Sequence, residues 1–228
     1  MTRSLLFAAL VVVLLAVVQQ SSAFGAKARP LTIAWVPPRD TPGSHLTDNP
    51  SSDLPEVRAH RWRGVAAVTL SSGALEATFI PELNLLGTSL RFHGEEFLAL
   101  PGGLDAYRGL HTTGLPLLHP WANRLRAWAY SSGRTRVDLH GLDLHTDGRG
   151  HPIHGTMSAR DEWSVTELAV RGRIARLRAS FDYERPDLLA AFPFPHNLGV
   201  TIDVDGVGVS IATTVESKAS TKLSFDQL

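Results

Sequence analysis

The sequence predicts an all-β protein, an antiparallel β-sandwich, and three observations carry that expectation. Apolar and polar residues alternate with period 2 in several short runs, as strands buried on one face require. Gly, Asn and Asp punctuate the intervals between those runs, where hairpin turns need them. No long helical period and no repeat at fixed spacing competes with this pattern.

Composition limits the function classes. A chain of 228 residues, 43% of them hydrophobic, can bury the core of one large all-β domain. Lys+Arg and Asp+Glu both total 22, so no global field draws the chain to nucleic acid, and no nucleic-acid partner is expected. With no cysteine, there are no disulfides, thiolate metal sites or cysteine nucleophiles.

Taken in order, residues 1–23 have the parts of a signal peptide. Arg3 is the positive start, Leu5 to Val18 is an apolar run, and Ser21-Ser22-Ala23 offers a cleavage point. The run falls short of the ~20 residues a membrane span needs. An uncleaved anchor is the alternative, and membrane contact is expected only in that case. Either way the remainder is expected to be exported, to a periplasm or the outside.

Residues 24–63 read as a Pro-rich linker or irregular arm, broken by Pro37-Pro38, Pro42-Gly43, Asn49-Pro50 and Leu54-Pro55. Within it, Leu31 to Val36 suits one edge strand. Residues 64–215 carry the sandwich. Leu75, Ala77 and Phe79 alternate with Glu76 and Thr78, and Thr88 to Phe92 reads the same way. Pro101-Gly102-Gly103 opens a long loop. Thr135 to Leu139 and Leu142 to His145 suggest a short hairpin about His140-Gly141. Trp163 to Val170 and Ala175 to Tyr183 pair around Arg171-Gly172-Arg173, with Arg176 and Arg178 on the wet face. Pro186 to Ala191 hints at a helical turn. Asn197 to Val204 and Val207 to Val215 form the clearest hairpin, about a type I′ signal at Asp205-Gly206. Residues 216–228 are a polar, unpatterned tail unlike what precedes it.

The chemistry concentrates in Gly114 to Trp128, G-L-P-L-L-H-P-W-A-N-R-L-R-A-W, and in His151 to Gly155, H-P-I-H-G. Aromatic faces beside fixed Asn and Arg donors suit a polyhydroxylated ligand. The plainer alternative makes Leu117, Trp121 and Trp128 core and Arg124 a solvated charge. The ten histidines invite a metal, but His151 and His154 are three apart and His140 and His145 five apart, spacings that diverge on strands. No H-E-x-x-H occurs either, so no metal is expected. The nucleophile elbow G-x-S-x-G is missing. Asp143, Asp147, Asp161, Glu162 and Asp182 have no context that marks a glycosidase pair. What remains is acid–base work by a histidine, with His154 the best candidate in its Gly-flanked loop. Its plainer alternative is a loop histidine bonded to backbone.

Four separated stretches together resemble the aldose 1-epimerase (galactose mutarotase) family. They are G-L-P-L-L-H-P-W-A-N-R-L at Gly114 to Leu125, H-G-x7-W at His154 to Trp163, Ser72 to Gly87, and F-P-F-P-H-N-L at Phe192 to Leu198. The resemblance implies a sandwich of many antiparallel strands and interconversion of α and β anomers of an aldose, with no cofactor. It matches Asn123 and Arg124 to the family's Asn-Arg pair, whose Arg binds sugar hydroxyls, and His154 to the first active-site histidine. Asn123, Arg124, His154 and Trp163 are accordingly the expected monosaccharide contacts, and His154 the expected catalytic residue.

The family's second histidine, in an H-P-Y-like context, and its later Asp and Glu have no counterpart after Val215. The sandwich is therefore expected to be incomplete at its C-terminus and catalysis to be impaired. The alternative is a non-catalytic exported carbohydrate-binding protein.

Overall fold

The structure, a computed structural model, describes Leu31–Trp35 and residues 54–218; the signal-like run and the end of the polar tail lie outside the described residues. Strand β1 (Leu31–Trp35) is the edge strand anticipated inside the Pro-rich arm. Strands β2 (Glu56–Trp62), β3 (Val65–Ser72), β4 (Leu75–Ile80), β5 (Leu86–Phe92) and β6 (Glu95–Glu96) follow, and pair antiparallel in that order as one sheet. After helix α1 (Gly103–Arg108) comes a separate ribbon of β7 (Ala129–Ser132) and β8 (Thr135–Asp138). Strands β9 (Ser164–Arg171) and β10 (Ile174–Tyr183), helix α2 (Pro186–Ala191), then β11 (His196–Val204) and β12 (Val209–Ser217) complete the described strands and α-helices. The second five-stranded sheet has the order β1-β12-β11-β10-β9.

The two sheets pack through the alternating residues the sequence displayed. Leu70 on β3 and Leu75, Ala77 and Phe79 on β4 share one buried cluster with Leu177 and Phe181 on β10 and Leu198, Val200 and Ile202 on β11. Arg176 and Arg178 point the other way; Arg176 meets Asp203 across the sheet with both contacts at 2.6 Å. The fold is thus all-β, an antiparallel sandwich, as expected.

Five local expectations give way. The arm does not run to residue 63, because Glu56–Trp62 is a strand that pairs with β3 from Glu56↔Ser71 to Trp62↔Val65. Arg58 and His60 lie on one face and Arg61 on the other, so polar side chains on both faces hid the alternation. Residues 63 and 64 close that hairpin with φ of 48° and 86°, the double positive of a type I′ turn. Second, Thr135–Asp138 pairs backwards with Ala129–Ser132, not forwards with Leu142 to His145. Third, the loop after Pro101 contains helix α1, whose Leu104 and Tyr107 cover Ala67, Ile80 and Leu86 on the outer face of the first sheet.

Fourth, Asp205-Gly206 is not a two-residue turn. Val204 pairs with Val209, leaving four loop residues, and Asp205 Oδ1 accepts the N–H groups of Val207 and Gly208, each at 2.8 Å. The shift is two residues, so Val209, Ile211 and Val215 keep their face, while Val207 falls in the loop and is exposed. Fifth, the polar tail begins later than residue 216, because Glu216 and Ser217 pair with Asn197 and His196.

Candidate active site

Two irregular segments, one between β6 and β7 and one between β8 and β9, carry the motifs the sequence singled out. They are laced together by backbone. Gly155 bridges His119 in parallel, and Ile153 bridges Arg124 antiparallel. Leu125 N–H donates to Pro152 O at 2.8 Å, His154 N–H to Asn123 O at 3.2 Å, and Thr156 N–H to His119 O at 2.8 Å. Gly155 is required at the crossing: its φ is +81°, and a Cβ there would stand 2.1 Å from the His119 oxygen.

His154 itself adopts φ 67°, a left-handed conformation unusual for a side chain of its size. Its Nδ1 lies 3.0 Å from the Ala122 carbonyl. A carbonyl can only accept, so Nδ1 carries the proton and Nε2 is left as the acceptor. The ring is half-buried and meets His145 edge to face, centroids 5.5 Å apart. Both imidazoles line a cleft with His111, Tyr107, Leu117, Met157 and the Asp143–Arg160 ion pair, the last closed at 3.0 Å. Burial lowers the His145 imidazole below its usual value, aided by the neighbouring charges of His154 and His111. Burial also pushes the Tyr107 phenol up to about 12.

Arg124 and Asn123 are exposed on the adjoining stretch rather than in that cleft wall. Arg124 Nε stands 3.2 Å from the largely buried Asp147 carboxylate. The backbone N–H of His151 (3.0 Å), that of Arg149 (2.9 Å) and the Arg124 charge hold Asp147 below the usual carboxylate range. Asp147 therefore fixes one edge of the guanidinium. Asn123 serves the backbone, accepting Arg124 N–H on Oδ1 at 2.8 Å and His154 N–H on its carbonyl.

Trp163 is the expectation that fails. It is 2% exposed, packs on Phe181 with centroids 5.6 Å apart and donates its indole N–H to Asn84 at 3.1 Å. Its face belongs to the core and is not open to a sugar. Trp121 is core as well, against Leu125, Val137 and Leu139. Trp128 is half-buried, tied to Gly150 O at 2.8 Å.

Sequence reasoning did not bring His145 to His154, and it missed the pair formed by His119 and His196. These two lie in the first and last motifs, 77 positions apart, and their Nε2 atoms meet at 2.7 Å. His196 Nδ1 donates to Phe194 O at 2.5 Å, so its Nε2 accepts and His119 donates. Tyr183 stacks on His196 with centroids 4.5 Å apart. These motif histidines hold the sandwich together and do not face the cleft.

No protein-family model and no curated protein matches the chain. Solved structures do. A galactose mutarotase-like protein from Clostridium acetobutylicum superposes with TM-score 0.60 at 17% identity, over 75% of this chain and 51% of that one. Galactose 1-epimerase from Lactobacillus acidophilus NCFM gives 0.50 at 19% identity, over 68% and 45% respectively.

This is the galactose mutarotase-like fold. The chain spans about half the length of the two solved proteins. Within the mutarotase-like fold, the crossing at Gly155 brings Asn123, Arg124 and His154 together and leaves Trp163 in the core.

Proposed function

We propose that this protein handles a monosaccharide as an aldose 1-epimerase-like isomerase, interconverting α and β anomers of galactose or glucose at the site around His154. The observation that supports it best is a pinned imidazole on a mutarotase-like fold: Nδ1 is committed to Ala122 O, which leaves Nε2 directed to proton transfer. Arg124, steadied by Asp147 on the stretch adjoining the cleft, is assigned the sugar hydroxyls. Ring opening needs one group to take the C1 hydroxyl proton and another to protonate the ring oxygen. His154 is assigned one of these roles. The reading takes the protein to be exported, to a periplasm or the outside, on the signal-like run of residues 1–23.

Polarimetry on freshly dissolved α-galactose and α-glucose tests this reading. The wild type should exceed the buffer rate. His154→Gly suits the left-handed backbone, so it should keep the fold, lose ~10²-fold or more in rate and recover part of it with added imidazole. Arg124→Ala should weaken sugar binding by about 10-fold or more, as loss of a charge-assisted contact does. A wild-type rate equal to buffer would sink the isomerase reading. Tryptophan quenching that depends on Arg124 would then identify a binding protein without turnover.

A further inference from the structure

We propose that the free edge of β9 is a self-association surface, onto which a second copy of this chain adds its own β9 antiparallel. This surface shares no residue with the cleft at His154 and does not depend on the isomerase reading. Strand β9 ends its sheet, and among the described residues no backbone group bonds to its outer edge. Its Val165, Leu168 and Val170 stand opposite Ala179, Leu177 and Ala175 of β10. Those three β10 residues are buried in the core, so the three on β9 point to the same inner face. They are nevertheless 39%, 41% and 49% exposed. The sandwich is open there: a groove of about 570 Å³, lined by Ala59, Val68, Trp163, Val165 and Leu168, runs between β9 and the first sheet. An open edge with an apolar inner face is a template for another strand.

The features that usually block such pairing lie outside residues 167–171. The register slips at Thr166, between Val165↔Ala179 and Glu167↔Arg178, so the bulge precedes the regular edge. No proline interrupts residues 167–171, and the two that face inward, Leu168 and Val170, carry no charge. Gly172-Arg173 is a two-residue turn with Gly172 at φ 61°, which makes Arg171 and Ile174 a hydrogen-bonded pair. Alternation then directs the backbone of Ala169 and Glu167 to β10 and leaves the N–H and C=O of Leu168 and Val170 aimed outward.

The occupant that fits this edge is the same strand. The run E-L-A-V-R at residues 167–171 is self-complementary about Ala169. A two-fold axis at Ala169 sets Leu168 opposite the partner's Val170 and Glu167 opposite the partner's Arg171, and the reverse. Leu168 and Val170 then exchange their outward backbone bonds with their opposites. On the inner face apolar side chains meet, and on the wet face opposite charges meet with only Ala169 between them. Neighbouring registers lose this match. An axis at Leu168 sets Glu167 opposite the partner's Ala169, and an axis at Val170 sets Leu168 opposite the partner's Gly172. Within one copy Glu167 already bonds Arg171 at 2.7 Å and Arg178 at 3.3 Å, so pairing extends a network and strands no charge. An edge this short makes a small interface, and the dimer is therefore concentration-dependent.

Sedimentation velocity on the full chain from ~1 to ~200 µM, with amide exchange read at both ends, tests the pairing. The expected result is monomer at the low end, dimer at the high end, and slower exchange of the Leu168 and Val170 amides in the dimer only. Leu168→Lys, at an exposed position, should raise the dimer Kd ~10-fold or more with far-UV circular dichroism unchanged. Arg171→Glu and Glu167→Arg each set like charges opposite one another, and each alone should weaken association by about as much. Mixed in equal amounts, these two variants regain both opposite-charge pairs and should associate within about 3-fold of wild type. A wild type still monomeric at ~200 µM overturns the proposal. A dimer indifferent to Leu168→Lys uses another face and overturns it as well. A mixture no tighter than either variant alone removes the complementarity on which the second copy rests. Leu168 and Val170 amides equally protected in the monomer would put another segment of this chain on the edge, and that too overturns it.

Discussion

His154 and Gly155 occupy adjacent left-handed positions, at φ 67° and 81°, and the two make opposite demands on mutation. At His154 the left-handed conformation costs about 1–2 kcal/mol, so glycine relieves strain while removing the imidazole. His154→Gly should leave stability within ~1 kcal/mol of wild type, because the relieved strain and the lost bond to Ala122 offset one another. At Gly155 no side chain fits against the His119 backbone, since a Cβ would come within 2.1 Å of its carbonyl oxygen. Gly155→Ala should therefore cost roughly 2–4 kcal/mol, combining backbone strain with forced repacking. A lower urea midpoint at unchanged slope is the reading. An unchanged midpoint would mean that the crossing between the two segments is not formed.

Elements differ in how openly the sequence declares them. Strands β10 and β11 bury one face and wet the other, so Leu177, Phe181, Val200 and Ile202 alternate cleanly with Arg176, Arg178, Thr201 and Asp203. Strands β4 and β5 are harder to read, because α1 covers the outer face of their sheet and residues 77–80 and 86–89 are buried in succession. Strand β2 is hidden for the opposite reason, being exposed along most of its length. The hairpin of β11 and β12 shows a limit of turn signals. Asp-Gly marks the bend, but a four-residue loop is set by the aspartate capping Val207 and Gly208. Asp205→Ala removes that acceptor and should destabilise by about 1–2 kcal/mol, measured as a urea midpoint. Full stability in this variant would show that strand pairing alone fixes the loop.

Across the molecule, the buried imidazoles of His119 and His196 tie the motif-bearing segment to β11. Burial holds both below the usual histidine value; the charge of His196 adds to the effect on His119, and that of Lys218 to the effect on His196. Both folded values lie below the unfolded value of about 6.5, so protonation favours the unfolded chain. Their contribution to stability is complete above about pH 6.5 and is lost as pH falls below it, by up to ~1.4 kcal/mol per pH unit for each ring. Asp161, raised by its own burial, acts in the opposite sense. Urea midpoints at pH 7.5, 6.5 and 5.5 should change little over the first interval and fall over the second. His119→Gln should flatten the fall. A wild type equally stable at pH 6.5 and 5.5 would contradict neutral burial of the pair.

The sequence by itself determined the class of fold, the faces of the central strands and the two segments that meet at the candidate site. Period-2 burial and turn chemistry are local properties, and a shift of two residues in the last hairpin leaves them intact. Tertiary structure alone decided which aromatic and basic residues stay available. Trp163 and Trp121 resemble a sugar platform in one dimension and are core in three, because the sandwich needs large apolar volume at those positions. His145 carried no motif and stands beside His154 through a bond between Ile153 and its carbonyl. Contacts of this kind depend on where two irregular segments cross, and no periodicity along either segment encodes that.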